Sequence, residues 1–313
     1  MMSTSRPAGG GVDVAVVGEP AGWHVGRLLT ALEARGHRGT VVRWQELAAA
    51  VSPTGRAAGG ADPGAERFLP AAFESADLVV VRGMPGGGLE EVIFRMDVLG
   101  RLAARGTPVV NSPRGLEIAI DKYLSLTRMA AAGLPVPRTI VAQHPAGIRE
   151  AWRSLGGDCV YKPLFGSRGR GIVRVRDEPS LAAVIDVAAA QPAGVATYLQ
   201  EFVPHPGWDV RILVVGGDAF AIRRFSPPHE WRTNVSVGGR AEAFAPPAAW
   251  LDLARQAAQA TETEIAGVDL LPTRDGRVLV LEVNAVPGWR GLEAATGLCV
   301  GDAVVRHLEH RVR

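Results

Sequence analysis

Near the end of this 313-residue chain two apolar runs carry acids: Ala266-Gly267-Val268-Asp269-Leu270-Leu271 and Val278-Leu279-Val280-Leu281-Glu282-Val283-Asn284. A carboxylate in a strand that should be apolar is costly unless it is paired or binds a cation. Glu282 and Asn284 are two residues apart and project from one face of a strand, where Asp269 would join them from the neighbouring strand. Three oxygen donors on one face suit Mg2+, which prefers hard oxygens and takes its remaining ligands from water or phosphate. An ion-paired carboxylate at a strand end would show the same spacing.

A second cluster, Gly166-Ser167-Arg168-Gly169-Arg170-Gly171, follows the short strand Cys159-Val160-Tyr161-Lys162-Pro163. Glycines permit close approach and positive φ, so the loop can lay backbone N–H groups along a polyphosphate, and Lys162 places a cation just before it. A glycine-rich tight turn with no ligand would look alike. Neither G-x-x-x-x-G-K-[ST] nor a G-x-G-x-x-G after the first strand is present, so neither standard nucleotide fingerprint accounts for a phosphate site.

The elements that must hold these residues begin after a flexible tail, 1–11. Strands are expected at Val12–Gly18, Thr40–Trp44, Asp77–Val81 and Pro108–Asn111, with helices at Trp23–Arg35 and Leu89–Arg105; this βαβ opening predicts a parallel sheet. Ser52 to Glu66, rich in Gly, Ala and Pro, reads as a mobile loop. Asp121–Ala132 reads as one helix, which Gly133 ends and Pro135 and Pro137 forbid from continuing. Beyond it come the hairpin of Cys159–Pro163 with Ile172–Val175 and a helix at Ser180–Ala190. Strands follow at Thr197–Phe202, Val210–Val215 and Ala219–Arg224, then a helix at Ala248–Thr263 and the two acidic strands.

At 47% apolar and 21% charged residues the composition is that of a globular protein of two or three domains, and 38 glycines with 22 prolines predict many turns. A net charge of +2, with no basic run, gives no support to a nucleic-acid or membrane partner. No apolar stretch is long enough to span a bilayer, and the N-terminus lacks an apolar signal region, so a soluble cytoplasmic protein is expected. Two cysteines, Cys159 and Cys299, are too few for a disulfide framework and are expected as packing residues.

From Asp121 onward the chain resembles the ATP-grasp superfamily, and within it the RimK-type amino-acid ligases. The matching segments stand in family order: Asp121-Lys122-Tyr123, Val160-Tyr161-Lys162-Pro163 with the glycine loop, Gln200-Glu201-Phe202-Val203, Asp209-Val210-Arg211, Ala221-Ile222-Arg223-Arg224, Trp231-Arg232-Thr233-Asn234, Ala266-Gly267-Val268-Asp269 and Glu282-Val283-Asn284-Ala285-Val286-Pro287-Gly288. Val286-Pro287-Gly288-Trp289-Arg290-Gly291 departs from RimK itself and looks more like the branch that glutamylates tetrahydromethanopterin-type cofactors. The resemblance implies an α/β (α+β) fold: a Rossmann-like N-terminal domain, 12–112, before a two-lobed ATP-grasp fold with a small lobe, 113–200, and a C-terminal lobe, 201–313.

It implies roles too. Lys122, Lys162 and the loop of Gly166, Ser167, Gly169 and Gly171 would hold the ATP phosphates, Glu201 and Phe202 the adenine edge, and Asp209 the ribose. Arg232, Thr233 and Asn234 would face the phosphates. Arg224, Arg232 and Asn234 would serve the reacting carboxylate, with Arg223 a surface charge. Asp269, Glu282 and Asn284 would hold two Mg2+ (or Mn2+) ions, and substitution of either acid should stop turnover and spare the fold. Arg290, in the turn after Asn284, is expected near the reacting centre, selecting L-glutamate. The reaction would join a carboxylate, on a cofactor or peptide, to an amino acid through an acyl phosphate, with no side-chain nucleophile. His205, His229 and His307 are accordingly expected at the surface. An ATP-grasp kinase acting on a small molecule, a ligase using another amino acid, and a nucleotide-binding protein without catalysis are the alternatives. Monomer and homo-oligomer are both left open.

Overall fold

The computed structural model describes residues 10–51, 68–165, 171–190, 196–233 and 238–312. The expected tail, the loop Ser52–Glu66, the loop residues Gly166, Ser167 and Gly169, and Asn234 lie wholly or mostly outside these residues.

The first unit is a parallel sheet. Its strands β1 (Asp13–Val17), β2 (Arg38–Val42), β3 (Leu78–Val81) and β4 (Val109–Val110) lie in the order β2-β1-β3-β4, with helices α1 (Trp23–Ala34), α2 (Ala71–Glu74) and α3 (Leu89–Ala104) between them. Val14 to Val17 and Leu78 to Val81 are all buried, as strands covered on both faces require. β2 starts two residues earlier than the apolar run suggested, because the Arg38 guanidinium grips Asp13 on β1 at 2.8 and 2.6 Å. Trp44 leaves the strand for a 3₁₀ turn, Trp44–Glu46, and its indole N–H donates to the Gly83 carbonyl.

The helix expected at Asp121–Ala132 is present, and a second helix that was not expected precedes it. α4 (Pro113–Ile120) is capped by Ser112 Oγ, and α5 (Lys122–Ala131) by the Asp121 carboxylate, which accepts from the Tyr123 and Leu124 N–H groups. α5 buries Leu126 and Met129 among Val210, Ile212, Val268 and Val283 of the five-stranded sheet described below. The start of the segment expected as the small lobe therefore packs on the large one.

The small antiparallel sheet comprises β5 (Thr139–Ala142), β6 (Cys159–Pro163), β7 (Val173–Val175) and β8 (Thr197–Glu201) in the order β5-β8-β6-β7. With α6 (Pro145–Ser154) and α7 (Glu178–Ala189) it closes a core of its own, including Ile148, Cys159, Val175, Leu181 and Leu199. The β6–β7 hairpin is as expected, with Cys159 opposite Val175 and Tyr161 opposite Val173.

The large sheet is antiparallel, in the order β11-β10-β9-β12-β13: β9 (Trp208–Val215), β10 (Asp218–Phe225), β11 (Arg240–Ala243), β12 (Ile265–Pro272) and β13 (Val278–Asn284). Helix α8 (Ala248–Ala260) covers it, and α9 (Arg290–Thr296) and α10 (Val300–Val312) return to the N-terminal unit. There Val14, Val16, Leu28 and Leu78 form one core with Leu213, Ile222, Ile265, Trp289 and Val304. Asn111, after β4, is 1% exposed and spans the junction: its amide donates to the Ile265 and Ala285 carbonyls and accepts from the Glu264 and Ile265 N–H groups. Among the described residues no helix is long and apolar enough to cross a membrane.

Candidate active site

A two-residue side-chain period puts Asp209 and Arg211 of β9 on one face of the large sheet. The register sets Arg224 opposite Asp209, Asp269 opposite Arg211, and Glu282 opposite Asp269, with Asn284 two residues along the same face. Two register rows therefore pair opposite charges, Arg224 with Asp209 and Arg211 with Asp269, and the second then places two acids, Asp269 and Glu282, side by side. Like charges directly opposite one another are destabilising without a cation. Arg211 supplies part of it: its guanidinium grips Asp269 at 2.6 and 2.7 Å and reaches Glu282 at 3.6 Å. Arg224, 4% exposed, grips Asp209 through both Nε and a terminal nitrogen and touches Asp269 at 3.0 Å. Burial alone would raise the Asp269 carboxyl, but Arg211 and Arg224 outweigh it and hold the group ionised, well below the usual carboxylate range. Burial likewise disfavours the Arg224 cation, and Asp209 and Asp269 more than restore it.

Across the cleft stand two lysines. Lys162 on β6 is buried, and its ammonium donates to Gln200 Oε1 at 2.6 Å; Gln200 in turn donates to Tyr198 Oη and Thr139 Oγ1. Lys122, at the start of α5, donates to the Leu164 carbonyl at 3.1 Å. Burial lowers the pKa of both, more than Glu282 restores, and in Lys162 the neighbouring Lys122 lowers it further. Two desolvated ammonium groups facing a row of acids form a site that gains from an anion placed between them.

The other walls come from the hinge and the β10–β11 connection. Phe202 and Val203 follow β8, the Arg174 guanidinium lies 3.4 Å over the Phe202 ring, and Trp231 meets that ring edge-on. The Phe202 N–H donates to the Asp158 carbonyl and the Glu201 carboxylate accepts from the Arg138 N–H, so these two groups are already engaged. Arg232 is held by Glu230, whose carboxyl is brought down to about 2, chiefly by that hydrogen bond. The Arg232 Nε is buried without a partner among the described residues.

Of the expected site residues, the structure gathers Lys122, Lys162, Glu201, Phe202, Asp209, Arg224, Arg232, Thr233, Asp269 and Glu282 around one cleft. Gly171 closes the base of the hairpin at φ +70°, beside Pro163. Asp209 is 3% exposed, with its oxygens taken by Arg224 and Thr233, so here it positions those two residues rather than presenting a free edge to ribose. Arg290 does not line the cleft; it is exposed at the start of α9, 5.8 Å over the Trp23 ring. His205 does line it and is half-buried, and His307 is tied to Glu264 at 2.9 Å, so of the three expected surface histidines only His229 is exposed. Cys299 is exposed too, unlike buried Cys159. Sequence reasoning passed over Gln200, Arg211 and Glu230. Each lies within or beside a quoted segment, and Arg211, a cation two residues after Asp209 in an apolar strand, was the most legible of the three.

Among the described residues no three His, Cys, Asp or Glu side chains stand close enough to hold a metal ion by themselves. Asp269 and Glu282 stand at one register position with the Asn284 amide two residues on; Arg211 and Arg224 hold the Asp269 oxygens and Asn284 Oδ1 accepts from the Val286 N–H, so a cation here would share these oxygens with their present partners. Such a set fits a hard divalent cation that completes its shell with phosphate and water.

The ligase PsnB, solved with a phosphomimetic variant of its minimal precursor, Mg and ADP, superposes with a TM-score of 0.72 over 96% of this chain and 100% of its own, at 24% identity. A RimK domain protein from Sphaerobacter thermophilus superposes at 0.69 over 94% and 98%, also at 24% identity. The fold is thus that of the ATP-grasp ligases. In sequence, the chain is 34% identical over 262 residues to the tetrahydromethanopterin:alpha-L-glutamate ligase of Methanosarcina acetivorans, covering 75% of this chain and 80% of that one. It is 30% identical over 286 residues, 90% of each, to a probable alpha-L-glutamate ligase of Methanococcoides burtonii. Residues 119–308 match the RimK-like ATP-grasp domain, and the chain belongs to that family.

Proposed function

We propose that this protein uses ATP to join the amine of L-glutamate to a carboxylate on a cofactor or peptide, releasing ADP and phosphate. The observation that carries the reading is the meeting of Lys122 and Lys162 with the Asp269–Glu282 pair across one cleft. The relatives named above as glutamate ligases support the amino acid, and both a pterin-cofactor ligase and a precursor-peptide ligase stand among the similar proteins.

In this reading Lys122 and Lys162, with the loop of Gly166, Ser167, Gly169 and Gly171, hold the phosphates. The backbone around Glu201 to Val203 takes the adenine edge, and the Phe202 ring, fixed by Arg174, forms the wall beside it. Asp269, Glu282 and Asn284 would hold two Mg2+ (or Mn2+) ions, which would supply positive charge to the phosphate oxygens. A carboxylate is a poor acyl donor, so it first takes the γ-phosphoryl group in line, and the amine then displaces phosphate. Arg232, with its free Nε, and Asn234 face the group in transfer. Arg224, clamped between Asp209 and Asp269, keeps the row of charges aligned and offers a cation to the reacting carboxylate. Mass spectrometry of candidate carboxylates incubated with the protein, ATP, Mg2+ and each amino acid tests this. A glutamyl adduct with amine-dependent phosphate release is expected; phosphorylated product without an amide would point to a kinase instead.

A further inference from the structure

Arg82 follows β3 directly and is 7% exposed, yet no carboxylate meets it among the described residues. One terminal nitrogen donates to the Pro287 carbonyl at 2.8 Å, and the guanidinium carbon lies 4.1 Å over the Trp289 ring. Among the described residues Arg82 Nε is buried without a hydrogen-bond partner, and so is the indole Nε1 of Trp289, itself 1% exposed. A buried cation beside a second unfilled N–H donor lacks an acceptor carrying negative charge.

The position in the fold is independent of that count. β1 has β2 on one side and β3 on the other, so the strand order reverses between β1 and β3, and in open parallel sheets ligands bind outside the carboxyl ends of the strands at this point. Gly18 after β1 and Arg82 and Gly83 after β3 border it, and a Cβ on Gly18 would meet the Arg82 carbonyl carbon and the Gly83 nitrogen at 3.6 Å. The segment is pinned: Trp44 donates to the Gly83 carbonyl and Arg95 to that of Pro85. On the opposite side His24 Nε2 accepts from the backbone N–H of Trp289 at 2.9 Å, fixing the turn that follows Asn284. Pro287 is three residues beyond Asn284, so its Cα lies within roughly 11 Å of that of the proposed metal ligand.

We propose that Arg82 and the Trp289 indole N–H receive the carboxylate that the incoming amino acid keeps, anchoring it at the switch point while its amine reaches the acyl group beside Asn284. This rests on the ligase reading above. The reacting carboxylate of the acceptor has to meet the phosphate, whereas an anion held in the planar fork of a buried arginine is fixed and spared. Arg290 stands at the rim of the same cluster, through Trp23 and His24, placed for a second carboxylate such as glutamate carries.

The test is titration calorimetry on the full chain loaded with a non-hydrolysable ATP analogue and Mg2+, using L-glutamate, L-glutamine, L-isoglutamine, L-lysine and L-alanine. Wild type should bind L-glutamate, and one of its two mono-amides should bind at least tenfold more weakly. In Arg82→Gln, and in Arg82→Lys should the first fail to fold, that acid should weaken at least tenfold, its preference over its amide should vanish, and binding of the ATP analogue should stay within twofold. Trp289→Phe, which keeps the ring and removes the N–H, should move in the same direction by less. Wild-type affinity for glutamate in a folded Arg82 variant would overturn the inference and leave the ligase reading standing. Binding of a different amino acid that is lost in the Arg82 variant would overturn glutamate and uphold Arg82. No amino acid binding at all would overturn both.

Discussion

Replacing Lys162 with methionine keeps most of the side chain and removes the ammonium. A hydrogen bond from a charged group contributes about 1.5–3 kcal/mol, and each 1.4 kcal/mol is tenfold in affinity. Lys162→Met should therefore raise the Kd of ATP by about 10- to 150-fold, while adenosine, which brings no phosphate to the lysine, should bind nearly as before. Apo stability adds a check whose sign follows from burial. The unfolded lysine titrates near 10.4 and the folded one lower, so between the two values the unfolded state holds more protons and stability rises with pH. Below the folded value the cost of burying the cation is fully present. Methionine removes that cost but leaves Gln200 Oε1 without its donor, a loss of about 1–3 kcal/mol in the other direction. The melting temperature should thus change little, and its pH slope in the alkaline range should flatten. Phosphates bound at Lys162 stabilise its charged form, so ATP affinity in the wild type should fall as pH rises through the folded pKa, and the variant should lose this dependence. Calorimetry with a non-hydrolysable ATP analogue and with adenosine, alongside melting curves, reads all three. Equal weakening of both ligands, or a collapse of the melting temperature, would refute a phosphate role and make Lys162 a packing residue.

Glu282→Gln should abolish Mg2+-dependent turnover while leaving the melting temperature equal or higher, because it relieves an acid directly opposite Asp269; near-normal turnover sinks the metal assignment. Asp269→Asn should depart from the intact fold expected from the sequence. It strands Arg211 and Arg224 around a buried amide and should cost about 3–5 kcal/mol in urea unfolding, so its lost activity says nothing about metal. Gly171→Ala should cost about 1–2 kcal/mol, since the residue adopts φ +70° with Pro163 3.1 Å from the new Cβ, and should raise the KM for ATP. Asn111→Ala should cost about 3 kcal/mol or more, because two N–H groups and two carbonyls lose their partner at once.

Local signals carried much of this. The hairpin of Cys159–Pro163 with Val173–Val175 and the two acidic strands were legible because apolar runs bounded by glycine and charge have few alternative structures. What escaped was pairing between segments distant in the chain. Nothing local says that Arg211 grips Asp269, 58 residues on, or that Asp209 is taken by Arg224 and Thr233. Arg290 was placed by sequence distance from Asn284, but the turn at Pro287-Gly288 carries it over Trp23 instead. β5 and β11, four residues each, are too short for periodicity to register. Arg82 left a trace that reading for motifs passes over: a lone cation directly after the fully apolar strand Leu78–Val81.

The core shared by the N-terminal sheet and the large sheet has a mechanical consequence. With Asn111 bolting the junction and Arg35 and His37 tied to Glu309 on α10, those two units move as one block, and shear between them would break a single hydrophobic interior. The small sheet has a core of its own beneath α6 and α7 and meets the block through Tyr198 and Val141, which join the large sheet's core, and through two chain crossings, near 132–138 and 202–207. Any opening of the cleft would therefore move the small sheet as one jaw and draw Tyr198 and Val141 off the large sheet's core. The charged residues from Arg224 to Asn284 and Arg82 belong to the anvil, and Lys162 rides on the jaw. Such a motion would carry Lys162 past a stationary array of charges, and amide hydrogen exchange should then be faster in β5–β8 than in β9–β13, with nucleotide slowing the former most.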